Sequence, residues 1–217
     1  MPTSSDDEPE YSAGMQHGDS GPASSMLEDI VSGLIAARLD APGEYKPTLI
    51  ANRAGGPTMR EEIGNALATS DSFDISVAFV SAGALLSLFE DFRSHRSIAK
   101  RTSRLITSTK NHFNDPRAFW ELLHLRNIAG IDVRVWEGSA DAETDAMHQG
   151  QPFHPKGYIF ARRMKDGTPY YDMYVGSSNL TDTALTTQRE WNLKVSSLAE
   201  GGLVGQFQDE IASQVDD

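Results

Sequence analysis

The chain has 217 residues, 39% of them hydrophobic and 23% charged, which is enough apolar material for one core of ordinary size. It contains no cysteine, so a disulfide framework, a thiolate metal site and thiol catalysis are excluded together. No stretch approaches the ~18 apolar residues of a membrane-spanning helix. Residues 1–25 hold no Lys, no Arg and no apolar segment, so a soluble cytoplasmic protein with no membrane contact is expected.

The formal net charge of -12 argues at first against a polyanionic partner. The distribution of that charge argues the other way. Asp6, Asp7, Glu8, Glu10 and Asp19 fall in residues 1–25, and Glu200, Asp209, Glu210, Asp216 and Asp217 in residues 200–217, with no base in either stretch. Setting those ten aside leaves 21 acids against all 19 bases, so the body is nearly neutral. Its bases are also clustered: Arg93, Arg96, Lys100, Arg101, Arg104 and Lys110 follow one another without an intervening acid. Such a run reads either as a solvated helix end and loop or as a grip on phosphates.

Residues 1–25, rich in Ser, Gly, Pro and Asp, read as a flexible acidic tail, and residues 26–217 as a single domain. From Met26 to Leu39 the apolar residues Leu27, Ile30, Val31, Leu34 and Ile35 recur at helical spacing, until Asp40-Ala41-Pro42-Gly43 ends the helix. Pro47 to Asn52 is a short apolar run with strand character. Thr58-x-x-Glu61 is a capping box that opens a helix running to about Ser70. Phe73 to Val80 is a β run with a single charge, suited to a sheet interior. A helix is expected over Ala82 to Phe92, a strand over Ser103 to Thr107 and a polar loop to Asn114. Asp115-Pro116 supplies an N-cap and a first-turn proline for the next helix. Strands follow at Ile131–Trp136, Lys156–Ala161 and Tyr170–Val175, with a long loop over Glu137–Gln151 and a turn at Asp166-Gly167. A short helix from Leu180, a strand over Trp191–Val195 and a last helix near Leu203–Ile211 complete the chain. Helices alternate with strands in the first half and strands crowd in the second. The fold class is α/β, a mixed β-sheet flanked by helices.

Three small motifs combine into a chemistry that none supports alone. His154-Pro155-Lys156 leads into a strand, Gly176-Ser177-Ser178-Asn179 follows one, and Glu190 opens the next. An imidazole can attack phosphorus, and an ammonium two residues on projects from the same face of an extended segment. A strand-to-helix turn offers Ser and Asn donors together with backbone N–H groups, and a carboxylate can fix an imidazole tautomer. His148 stands six residues before His154, a weak pair for a metal, and no metal or other cofactor is expected.

His154-x-Lys156, Gly176-Ser177-x-Asn179 and Glu190 together resemble the signature of the phospholipase D superfamily. The segments FHPKGYIF and YVGSSNLTDTALTTQREWNLKVSS are similar to the phospholipase D-like nuclease domains of some bacterial DEAD/DEAH helicases and certain restriction endonucleases. The resemblance extends over roughly Thr48 to Ser197, through DSFDISVAFVSAGALLSLFEDF and LITSTKNHFNDPRAFWELL. It implies that His154 is a nucleophile forming a covalent phosphohistidine and that Lys156 and Asn179 hold phosphate oxygens with help from Ser177. It also implies that Glu190 orients His154 and that no metal is needed. One departure is plain: the superfamily pattern H-x-K-x-x-x-x-D has its Asp where this chain has Ala161.

The mechanism wants a second imidazole to protonate the leaving oxygen, and this chain has one H-x-K motif. The family solution implies a symmetric homodimer with one composite site. On this reading the protein is a DNA-cleaving phosphodiesterase, an endonuclease subunit of a restriction or phage-defence system, with a helicase or translocase as partner. The Arg93–Lys110 cluster then grips DNA beside the site. The alternatives are a catalytically silent nucleic-acid-binding or assembly module, and a phospholipase or other phosphodiesterase. The latter wants a basic amphipathic membrane-facing helix, which the sequence does not offer.

Overall fold

The computed structural model describes residues 21–109, 114–136 and 153–216. Lys110, residues 1–20 of the acidic tail and the whole Glu137–Gln151 loop, His148 included, lie outside the described residues.

The first helix, α1 (Pro22–Leu34), starts after Gly21 with proline in its first turn, inside the stretch that composition assigns to the tail. It stops short of Leu39 because the chain folds back onto it. The carboxylate of buried Asp29 accepts the backbone N–H groups of Gly43 at 2.6 Å and Tyr45 at 2.8 Å, and Ser32 Oγ accepts that of Arg38 at 3.2 Å. The returning segment thus covers Met26, Asp29 and Ser32, while Leu27, Leu34 and Ile35, expected on the buried face, are exposed. A buried carboxylate with two backbone donors outweighs the apolar stripe here.

Among the described residues seven strands form one sheet: β1 (Thr48–Ile50), β2 (Ser72–Val77), β3 (Arg104–Ser108), β4 (Asp132–Trp136), β5 (Lys156–Arg163), β6 (Pro169–Gly176) and β7 (Asn192–Leu198). Their order is β1-β7-β6-β5-β2-β3-β4. The pairs β2–β3 and β3–β4 are parallel, and every other pair is antiparallel. The parallel half needs helical crossovers. They are α3 (Ala82–Ser87) and α4 (Phe89–His95) after β2, and α5 (Pro116–Ala129) after β3. The helix expected over Ala82–Phe92 is therefore two, divided at Leu88, whose backbone (φ -102°, ψ 3°) leaves the helical region. The apolar β run does become a central strand, and the mixed α/β sheet expected from the sequence is what forms.

On one face of the sheet Phe73, Ile75, Tyr158, Phe160 and Tyr174 pack under α2 (Met59–Leu67), α3, α4, α5 and α6 (Asp182–Thr186). Thr58 and Glu61 close the expected capping box at the start of α2. On the other face a single helix among the described residues, α7 (Gly202–Asp216), lays Val204, Phe207 and Ile211 over Ile106, Ile159 and Met173. One helix does not cover a seven-stranded sheet, and the cross-strand row Leu49–Leu193–Val175 remains exposed. No described helix is long and apolar enough to cross a membrane.

Register places the site. Val77 pairs with Lys156, Gly157 with Val175, Gly176 with Asn192 and Asn192 with Ile50. The ends of β1, β2 and β6 and the starts of β5 and β7 therefore share one edge of the sheet, and parallel β3 ends there too at Ser108.

Candidate active site

His154 and Lys156 sit where the chain enters β5. The backbone N–H of Ala78 donates to Pro155 C=O at 3.0 Å, tying this entry to the end of β2. One residue earlier, Phe153 stacks on Trp136 with ring centroids 5.2 Å apart. Lys156 Nζ lies 3.0 Å from His154 Nδ1, 3.2 Å from Nε2 and 3.2 Å from the His154 carbonyl oxygen. The alternation of a strand predicts that the two side chains share a face, and here they touch. Burial lowers the Lys156 pKa from the ordinary lysine value, and the nearby Glu190 carboxylate works in the opposite direction.

Phe79 links this pair to the G-S-x-N turn. Its ring meets His154 edge-on at 5.8 Å and lies 6.0 Å from Lys156 Nζ. Its backbone N–H donates to Asn179 Oδ1 at 3.3 Å, and its carbonyl accepts Leu180 N–H at 3.0 Å. With Oδ1 taken by Phe79, the Asn179 NH₂ has no partner among the described residues and remains a donor for an anion. Val80 and Leu180 form a parallel bridge, and Val80 N–H donates to Asn114 Oδ1 at 2.8 Å. Beneath the pair, the buried Tyr158 hydroxyl donates to Ser178 C=O at 2.9 Å. Burial, with Glu190 adding to it, pushes the Tyr158 pKa up and keeps it a donor.

Two site residues behave differently from what the motif resemblance implies. Ser177 Oγ donates to Glu190 Oε2 and accepts Trp191 N–H at 3.0 Å, so its hydroxyl is committed within the chain and does not reach for phosphate. Glu190 is buried against that hydroxyl, and no hydrogen bond joins it to His154 among the described residues. Within one chain Glu190 fixes the Ser177 turn and supports the Lys156 charge. Four backbone donors in and beside the turn are also paired. Ser177 N–H goes to Trp191 C=O, Ser178 N–H to Asn192 Oδ1, Leu180 N–H to Phe79 C=O and Asp182 N–H to Ser81 Oγ. Among the side chains, Lys156 and the Asn179 amide are the donors left for an anion.

The described members of the basic cluster, Arg93 to Arg104, are not beside this site. Arg104 begins β3 opposite Asp74, and the Ser72–Ala161 pair beside Asp71 lies five residues along the strands from Val77–Lys156. At ~3.3 Å per residue that is ~17 Å, at the opposite edge of the sheet. Most of the basic groups there are also engaged. Arg93 pairs with Glu90 at 2.7 Å and Lys100 with Asp71 at 3.0 Å, while Arg104 lies 3.6 Å from both Asp74 and Asp132. Arg96 donates to Ile128 C=O. Arg101 has no ion pair among the described residues but stands at that same far edge, its backbone bound to Asp71 C=O. Acids separated from the run in sequence return to it in space, which a count of consecutive bases cannot register.

Positioning residues that no sequence motif marks are Phe79, Asn114 and Asn192. Phe79 is hidden because the β run reads as strand through Val80, whereas β2 ends at Val77 and the next residues turn into the site. A polar residue opening a strand (Asn192) and one directly before a helix N-cap (Asn114) are the signals that could have found the two asparagines.

No family model matches the chain, and no curated protein matches it by sequence. Its structure is similar to that of NucT from Helicobacter pylori, with a TM-score of 0.56 and 13% identity, over 80% of this chain and 97% of that one. It is also similar to Nuc from Salmonella typhimurium, a phospholipase D family member, with a TM-score of 0.53 and 14% identity over 79% and 95% of the two chains.

Proposed function

We propose, from the phospholipase D fold that this chain has, that it is a metal-independent nuclease cleaving DNA through His154. The observation that supports the reading is the Lys156 ammonium against the His154 ring, joined through Phe79 to an Asn179 whose NH₂ group is unpartnered among the described residues. An imidazole nitrogen attacks phosphorus and the bond to the leaving oxygen breaks, giving a phosphohistidine. The Lys156 and Asn179 donors carry the charge that gathers on the non-bridging oxygens. A second imidazole donates a proton to the leaving oxygen, then takes one from the water that attacks phosphorus and releases His154.

His154 of a second copy of the chain supplies that second group in this proposal. Among the described residues the other histidines are engaged elsewhere, His95 between Leu67 C=O and Ser103 Oγ, and His124 beside Glu121. The exposed row Leu49–Leu193–Val175 and Trp191, 72% exposed at the start of β7, flank the site edge and suit burial against another copy. Light scattering is expected to give a dimer, and a strict monomer that still cleaves DNA overturns this part.

The setting that the motif resemblance implies, the cleavage subunit of a restriction or phage-defence system working with a helicase or translocase, belongs to the same proposal. The deciding experiment incubates the purified protein with plasmid and single-stranded DNA in EDTA beside His154→Ala. Cleavage by the parent and its loss in the variant, with binding retained, support the nuclease. Binding without cleavage by either protein supports the silent module instead.

A further inference from the structure

We infer that Arg53 and Arg189 form a phosphate-binding groove that takes the nucleic-acid strand as it runs from the His154–Lys156–Asn179 site, an inference that rests on the nuclease reading. Because β1 and β7 are antiparallel with Ile50 opposite Asn192, the residues after β1 and those before β7 emerge at the site edge of the sheet. Arg53 follows one strand and Arg189 precedes the other. Both are exposed, neither has an ion pair among the described residues, and both line one groove of about 730 Å³. This distinguishes them from the Arg93–Arg104 run, most of whose charges are satisfied at the far edge.

The groove is built rather than incidental. Asn52, buried and held at φ 47°, donates from Nδ2 to Ala184 C=O at 2.8 Å and Gln188 C=O at 2.9 Å, and accepts Met59 N–H at 2.8 Å. Asparagine tolerates this left-handed conformation better than most residues. One side chain thus staples the loop carrying Arg53 to the loop carrying Arg189 and Glu190. Gly55, at φ +75°, and Gly56 form a low wall where a sugar–phosphate chain can approach the backbone. The one carboxylate lining the groove, Glu61, is taken up by Thr58 N–H at 2.9 Å and Thr58 Oγ at 3.0 Å.

The spacing suits a strand of nucleic acid. From β1 across β7 and β6 to β5 is three strand steps, ~14 Å at ~4.8 Å each. At the ~3.4 Å axial rise per nucleotide of a stacked strand this is about four nucleotides. The contacts are to phosphate alone, so the groove sets the path of the strand and not its sequence.

The test measures binding of a labelled single-stranded oligonucleotide to the full chain carrying His154→Ala, across a salt series in EDTA. Adding Arg53→Ala and Arg189→Ala is expected to weaken binding ~10–100-fold at low salt and to reduce the salt slope by ~1.4, at ~0.7 per phosphate contact. Arg53→Lys with Arg189→Lys, which keeps the charge, should restore most of the slope. Arg93→Ala with Arg96→Ala at the far edge should leave it unchanged. A slope unmoved by the Arg53/Arg189 pair overturns the groove while the nuclease reading stands. Failure of the His154→Ala parent to bind any oligonucleotide overturns both.

Discussion

Replacing Gly176 by alanine tests whether the G-S-x-N turn is set by close approach of two strands. Gly176 ends β6, and a methyl built there meets Trp191 C=O at 2.1 Å and both Cα and Oδ1 of Asn192 at 2.6 Å. Two of these obstacles are backbone atoms of β7 and its entry, so no rotamer change relieves the clash. Reaching ordinary contact at 3.4 Å moves the Trp191 carbonyl by about 1.3 Å. That shift breaks or weakens three hydrogen bonds: Ser177 N–H to Trp191 C=O (3.1 Å), Trp191 N–H to Ser177 Oγ (3.0 Å) and Ser178 N–H to Asn192 Oδ1 (3.1 Å). At ~1 kcal/mol net for each, the loss is ~3 kcal/mol. For a domain of this size that lowers the melting midpoint by ~6–12 °C. If Asn179 holds phosphate as proposed, the same shift misplaces it, and a 1 Å misplacement costs ~100-fold in rate. Gly157→Ala is the comparison, because a methyl there meets nothing within 4 Å and should change stability by less than ~1 kcal/mol. Circular dichroism melts and DNA cleavage measure both effects. If Gly176→Ala melts with Gly157→Ala and cleaves like the parent, strand approach does not set the turn.

Two further predictions concern protons. Lys156 must keep its proton to hold phosphate, and burial lowers its pKa while Glu190 opposes that shift. Cleavage should therefore fall as pH rises through a value below the ordinary lysine range. Glu190→Gln should move that limb lower still and Lys156→Arg should remove it, as read from kcat/KM against pH; a limb indifferent to Glu190→Gln rejects the assignment. Buried His95 has its pKa lowered by burial, with the Leu67 carbonyl opposing. The unfolded chain then binds a proton that the native state refuses, so stability is whole above the ordinary histidine pKa and declines as pH falls below it. Urea midpoints at neutral and mildly acidic pH should show the decline in the parent and less of it in His95→Gln. Equal declines in the two proteins would assign the acid sensitivity to other groups.

Elements are legible in the sequence where local chemistry and burial agree. The Thr58–Glu61 capping box, the Asp115-Pro116 helix start and the Phe73–Val77 strand each carry a short-range signal that tertiary packing reinforces. The first helix departs from its apolar pattern because its buried side holds Asp29 and Ser32, whose partners lie on the returning segment beyond the helix. No periodicity of apolar residues reports a carboxylate that is satisfied by Gly43 and Tyr45 amides. The site residues emerge by pairing two motifs whose chain separation is bridged by one strand register. Their division of labour does not, because the Ser177–Glu190 bond and the pairing of the Ser177 and Ser178 amides depend on where β7 enters relative to β6.

The same contrast explains why a run of bases is a poor guide to the phosphate contacts. Six bases in eighteen residues look like a binding patch only while the chain is drawn as a line. Folding returns Asp71, Asp74 and Asp132 to that run and neutralises much of it at the edge where β3 starts. Arg53 and Arg189 stand 136 positions apart and each looks incidental. Antiparallel pairing of β1 with β7 brings them to the edge where β5 begins, with Asn52 joining the loops that carry them. In a sheet whose site gathers at strand ends, a base just outside a strand therefore matters more than a run of bases. The strand's direction then decides whether that base faces the chemistry or the far side.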